Sequence, residues 1–143
     1  MAASKVSIRA ADWNVDRAAL RAVREQVFVR EQGVPVELEW DEFDPLCQHV
    51  VAEDAGQAIG TGRLLPGGHI GRMAVLETWR GQGVGSALLE ALLRLAHDRG
   101  IRRVRLNAQS RAVAFYQHHG FVAEGQEFIE AGIPHLSMWR DVN

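Results

Sequence analysis

Gly71-Arg72-Met73-Ala74-Val75-Leu76-Glu77-Thr78-Trp79-Arg80-Gly81-Gln82-Gly83-Val84-Gly85-Ser86-Ala87-Leu88-Leu89 is the stretch from which the rest of the chain can be read. It predicts a strand, a short loop with glycine at 81, 83 and 85, and then a long helix. Without Cβ atoms the loop can turn sharply and let a ligand approach the main chain. The N–H groups that begin the helix lie at the positive end of its dipole, a site for an anion and best matched by phosphate. Val84, Ala87, Leu88, Ala91, Leu92 and Leu95 recur at helical spacing, and Leu89, Leu93 and Ala96 widen the apolar arc, so burial on more than one side is expected. Gly100 is the stop signal.

Two common phosphate loops do not fit these residues. A Walker loop needs G-x-x-x-x-G-K-[ST], and the stretch has no lysine. A dinucleotide fold needs G-x-G-x-x-G and an acidic residue at the end of the next strand. Here Ser86 and Leu88 stand where the third glycine would fall, and Arg103-Val104-Arg105-Leu106-Asn107 ends in an amide. A pyrophosphate held by backbone amides, without metal or lysine, remains.

Arg80-Gly81-Gln82-Gly83-Val84-Gly85 resembles the (Q/R)-x-x-G-x-(G/A) motif of the GNAT superfamily of acyl-CoA-dependent N-acetyltransferases. Ala112-Val113-Ala114-Phe115-Tyr116-Gln117-His118-His119-Gly120-Phe121 resembles the A-x-x-(F/L)-Y-x-x-x-G-F segment of the same superfamily, at the expected separation. Val27-Phe28-Val29-Arg30-Glu31-Gln32-Gly33-Val34-Pro35, Ile59-Gly60-Thr61-Gly62-Arg63-Leu64 and Gly132-Ile133-Pro134-His135 extend the likeness over nearly the whole chain, toward the small bacterial ElaA-like branch.

The remaining elements follow in order. Val6-Ser7-Ile8-Arg9 alternates as a strand. Asp16 is read as the cap of a helix with Leu20, Val23 and Val27 as its apolar stripe, ending near Gly33. Strands are expected over Gln48–Glu53, Ala58–Leu65 and His69–Leu76. Asp54-Ala55-Gly56 and Pro66-Gly67-Gly68 are the turns between them, giving an antiparallel meander. Ile101–Asn107 comes after a helical crossover and so should run parallel to the strand before it. A second helix starts at Gln109 or Ser110 and stops at Gly120. Phe121-Val122 then opens another strand, and His135–Asp141 is the last. The sum is a single α/β (α+β) domain over residues 1–143: a mixed, mostly antiparallel twisted sheet of about seven strands, with helices on both faces. The resemblance adds that the parallel pair at its centre splays apart.

The resemblance also implies the ligand and the site. Acetyl-CoA would lay its pantetheine arm along the main chain of Met73, Ala74 and Val75 and its pyrophosphate on Gly81, Gln82, Gly83, Val84, Gly85 and Ser86. Arg80 stands at the motif's Q/R position, to meet a phosphate or brace the loop, and Ser86 either donates to a phosphate or caps the helix. Gln109 occupies a position that is often Asn in the superfamily, and Phe115 precedes Tyr116. Acyl transfer to an amine needs a neutral amine, a stabilised oxyanion and a protonated leaving thiol. Tyr116, the one tyrosine of the chain, matches the tyrosine that protonates the thiolate. A backbone N–H around Val75 is the expected partner of the thioester oxygen. The strand carries no acidic residue, which leaves Glu31, Glu39, Glu127, His135 or a water as candidate bases.

Between the first helix and second strand lie Glu37, Glu39, Asp41, Glu42 and Asp44 around Leu38, Trp40 and Phe43. Charge runs are usually solvated faces, and the segment is read as such; a wall that attracts a cationic amine is the alternative. Composition bounds the rest: 143 residues, 47% hydrophobic, net charge −2 and a single cysteine, Cys47, read as a small buried hydrophobe. No nucleic-acid footprint, membrane span, leader or metal-ligand spacing is present, and a cytoplasmic location follows by default. Arg99, Arg102, Arg103 and Arg105 are read as a solvated face. The expected partners are acetyl-CoA and an amine acceptor, and a homodimer is possible. The alternatives are a non-catalytic acyl-CoA-binding module and an enzyme binding another phosphorylated ligand.

Overall fold

The computed structural model describes residues 6–142; the N-terminal stretch read for a leader, residues 1–5, lies outside them. Strand β1 (Val6–Ala11) leads into helix α1 (Trp13–Arg24), whose cap is Asp12 and not Asp16. Asp12 Oδ1 accepts from the Asn14 N–H at 2.8 Å, and Asp16 Oδ2 accepts from the Asp12 N–H at 2.8 Å, so two acids close the helix start reciprocally. The helix then loosens into a π-helical turn, Glu25–Glu31. A short helix α2 (Val36–Glu39) and a 3₁₀ turn (Asp44–Leu46) follow.

Strands β2 (Gln48–Asp54), β3 (Gln57–Leu64) and β4 (Ile70–Val75) form the expected meander, in a sheet of order β1-β2-β3-β4. Helix α3 (Val84–Asp98) crosses over to β5 (Arg103–Gln109), and α4 (Val113–His118) precedes the hairpin of β6 (Val122–Glu130) and β7 (Ile133–Asp141). These three strands make a second antiparallel sheet of order β5-β7-β6. The two sheets meet at one parallel bridge, His69 with Arg105, where the Arg105 N–H donates to Gly68 O at 3.0 Å. Beyond it β4 and β5 part, so the parallel pair is splayed as the resemblance implies.

One core joins both sheets. Leu88, Leu89, Leu92 and Ala96 of α3 are fully buried against residues such as Val50, Ile59, Val104 and Met138. The helix comes this close because β3 has glycine beneath it. A Cβ at Gly60 would stand 2.9 Å from Leu88 Cδ1 and 3.2 Å from Ala74 O, and one at Gly62 would stand 2.8 Å from Leu92 Cδ1. Gly60→Ala is therefore expected to cost roughly 1–3 kcal/mol through overpacking, read by denaturant unfolding. Gly67→Ala, with nothing near its Cβ position, should be close to neutral.

Candidate active site

The site begins with a fault in the β3–β4 ladder. Thr61 pairs with Ala74 and Arg63 with Gly71, so Arg72 and Met73 together oppose Gly62. Arg72 takes φ +50°, a left-handed conformation that costs a non-glycine residue free energy. After this bulge Leu76 N–H donates to Ile59 O at 2.9 Å. Ladder groups alternate in direction, so Ala74 turns its main-chain groups to β3 and Val75 turns its own to the gap between the sheets. The Val75 carbonyl accepts from Arg80 Nε at 2.9 Å.

Arg80 is a brace. Besides Val75 it holds Glu31, with Nη1 and Nη2 at 2.6 and 2.8 Å from the two carboxylate oxygens. That bond holds the Glu31 carboxyl below its ordinary range. Gly81 and Gly83 have φ +75° and +84°, which places the loop where glycine is needed. Gln82 Nε2 donates to Thr78 O at 3.0 Å. Gly83 is the α3 cap, and no side chain caps the helix; the cap reading for Ser86 is corrected, since its Oγ instead lies 2.9 Å from Nε2 of His119, which ends α4. The first main-chain bond of the helix is Ala87 N–H to Gly83 O, so the amides of residues 84 to 86 are oriented outward. Val84 itself is core. A Cβ at Gly85 would reach Phe115 Cζ at 3.6 Å and Val75 Cγ2 at 3.9 Å, so this glycine keeps the first turn of α3 open toward the gap.

The gap is a cleft of about 840 Å³. Met73, Ala74, Val75, Arg80, Gly85, Gln109, Phe115 and Tyr116 all line it, as do Glu39 and His135. Tyr116 is wedged edge-on between Phe115 (5.0 Å) and Phe121 (5.7 Å), and its hydroxyl meets Met73 Sδ at 3.7 Å. Burial pushes its pKa up to about 12, so the phenol stays a proton donor. Gln109 Nε2 donates to Gln32 Oε1 at 2.8 Å, a clasp between the end of β5 and the end of the π-helical turn that the sequence does not announce.

This combination is an edge strand whose Val75 main chain turns to the gap, an amide-lined helix start at one end and a tyrosine in the wall. Residues 17–141 match the family model of the acetyltransferase (GNAT) domain. The chain belongs to the GNAT acetyltransferase family. It is 45% identical over 123 residues to an uncharacterized N-acetyltransferase, YjcF, of Bacillus subtilis, covering 83% of this chain and 88% of that one. Among solved structures it is similar to an acyl-CoA N-acyltransferase from Pseudomonas aeruginosa (TM-score 0.86, 32% identity, 95% of this chain and 99% of that chain). It is also similar to Escherichia coli ElaA (TM-score 0.85, 28% identity, 94% and 99%). Acyl-CoA is the cosubstrate of GNAT enzymes, and the open glycine loop, the outward helix amides and the Val75 N–H on the gap side fit it.

The candidate bases stand in very different states, and of the four only Glu39 and His135 line the cleft. Glu31 is locked on Arg80. Glu39 is buried, with Oε2 2.6 Å from Arg24 Nε and 3.3 Å from Arg72 Nε; burial pushes its carboxyl up against the pull of these cations. Glu127 accepts from Ser110 Oγ at 2.7 Å and does not line the cleft. His135 is buried in the cleft wall with Nδ1 2.6 Å from Ile133 O. A carbonyl only accepts, so Nδ1 carries the hydrogen and Nε2 of the neutral ring keeps the free lone pair.

The acidic segment is neither a solvated face nor a simple acidic wall. Asp44 is buried, held by Arg24 Nη1 and Nη2 (2.9 and 3.1 Å) and by Arg63 Nη1 (2.9 Å). Asp41 makes a bidentate pair with Arg63 (both 2.8 Å) and meets Arg72 at 3.0 Å. Despite partial burial these guanidinium groups hold Asp41 down at about 2. Arg24 also lies over Trp40 (5.1 Å) and Trp13 (5.8 Å), and His49 Nε2 donates to Asp44 O at 2.8 Å. The network ties residues 39 to 44 to the core beneath one end of the cleft. Cys47 is partly buried with its thiol pushed up by burial, unlike a nucleophile. Arg102, Arg103 and Arg105 are exposed, with Arg103 paired to Asp141 and stacked on Trp139.

Proposed function

We propose that the protein transfers an acetyl group from acetyl-CoA to a primary amine by direct attack in a ternary complex. The observation that carries this reading is that Tyr116, Val75 and His135 all line one cleft, together with Gly85 at the start of α3. Acetyl-CoA supplies the activated acyl carbon. The Val75 N–H stands where an oxygen bearing negative charge would be stabilised. His135 Nε2 accepts a proton from the amine, and Tyr116 donates one to the departing sulfur.

Binding is shared along the cleft. The amides of residues 81 to 86 take the pyrophosphate, Arg80 keeps loop and edge strand in register through Val75 and Glu31, and Gln109 meets the pantetheine arm or retains Gln32. The test is release of free thiol from acetyl-CoA with a panel of primary amines. Amine-dependent release supports the reading. Binding of acetyl-CoA with no amine-dependent release would favour a non-catalytic acyl-CoA-binding module.

A further inference from the structure

The β6–β7 hairpin turns through Ala131 and Gly132, at φ +51° and +76°. That is the two-residue turn whose twist matches its flanking strands. Ala131 adopts there a conformation that suits glycine or asparagine better, so the surrounding structure fixes the turn. Glu130 is thereby set opposite Ile133, the residue whose carbonyl holds His135 Nδ1. Phe128, paired with His135 across the ladder, stacks on its ring at 5.9 Å and 23°. The imidazole is oriented on two sides, and its Nε2 lies 3.7 Å from Glu130 Oε2.

The charges around the cleft give this carboxylate a task. Of the arginines that line the same cleft, Arg63 and Arg72 are paired with Asp41, Asp44 and Glu39 and Arg80 with Glu31, which leaves Arg111 without a carboxylate partner among the described residues, its charge opposed to an incoming ammonium ion. Two carboxylates line it as well. Glu39 is committed to Arg24 and Arg72, whereas Glu130 makes no arginine pair among the described residues and its side chain is half exposed at the mouth.

We propose that Glu130 is the positioning residue of the proton-accepting histidine and that the pair selects an acceptor arriving as an alkylammonium ion, an inference that rests on the transferase reading above. His135 Nε2 takes one N–H proton, and the new Nε2–H faces the Glu130 carboxylate. The neutral amine then forms the C–N bond as the C–S bond breaks, and Tyr116 protonates the sulfur. The second proton lost by the nitrogen restores the phenol through solvent, and His135 releases the first to bulk. One proton leaves per turnover.

The test is a double-mutant cycle on thiol release with an alkylamine, using Glu130→Gln, His135→Gln and both together. Glu130→Gln should lower kcat/KM about tenfold, and His135→Gln about 10²–10³-fold. Added to His135→Gln, the Glu130 change should cost less than about twofold, because its effect runs through the ring. Glu130→Asp should recover part of the rate, and acetyl-CoA affinity should be unchanged throughout. An active wild type in which Glu130→Gln is silent, or equally costly with and without His135, overturns this proposal alone. A wild type that binds acetyl-CoA yet releases no thiol with any alkylamine overturns the transferase reading and this proposal with it.

Discussion

Tyr116→Phe is expected to lower kcat for acyl transfer by roughly 10²–10⁴-fold, the usual contribution of a positioned general acid, with little change in acetyl-CoA affinity or stability. The ring's edge-on packing against Phe115 and Phe121 survives the substitution, and the hydroxyl gives up only its contact with Met73 Sδ. The same burial that denies the hydroxyl a stronger partner pushes its pKa up to about 12. Tyr116 therefore keeps its proton across the working range, and raising the pH from about 7 to about 10 should not lower the rate through this residue. A kcat within threefold of wild type would remove Tyr116 from the chemistry and assign leaving-group protonation to solvent.

The largest stability effect is expected at Arg24, far from any reacting atom. Its side chain is 1% exposed and carries hydrogen bonds to Glu39 and Asp44 from all three guanidinium nitrogens. Arg24→Met keeps much of the volume and removes the charge, leaving buried Glu39 and Asp44 short of a cation. Breaking a buried pair from one side costs about 3–5 kcal/mol, or roughly 10–20 °C in melting temperature for a domain of this size. Glu39→Gln in the same background should return part of the loss, since it removes one stranded charge. A loss below about 1 kcal/mol for Arg24→Met would mean that Arg63 and Arg72 neutralise both carboxylates without it.

That network also shows where sequence reading stops. Helix α3, the two hairpin turns of the meander and the glycine loop are legible because their signals are local: apolar spacing, paired turn residues, glycines before a helix. The splay of β4 from β5 is not, because it depends on a bulge at Arg72 that no residue type announces; it was accessible through the family resemblance alone. Glu37 and Glu42 are exposed as a solvated run would be, but Glu39, Asp41 and Asp44 read the same way only because their partners Arg24, Arg63 and Arg72 are distant in the chain. A clue existed in Arg24 itself, which shares the buried stripe of Leu20, Val23 and Val27 and so needed a carboxylate. Asp12 and Asp16 both suit a helix start, and only the φ of the chain decides between them. The bases Glu31 and His135 are equally plausible as residue types, and what separates them is that Arg80 occupies the first while a main-chain carbonyl orients the second.

Occupation of the cleft between β4 and β5 by acyl-CoA is tested by a calorimetric titration with acetyl-CoA, CoA and ATP against the wild type and Gly85→Val. Gly85 has an ordinary backbone conformation and room for a Cβ, but a branched side chain would crowd Phe115, Val75 and the start of α3. Both CoA species should bind one-to-one, with a matching rise in melting temperature by mass action, no such response to ATP, and loss of binding in the folded variant. Folded wild-type protein that binds neither CoA nor acetyl-CoA would contradict that occupation.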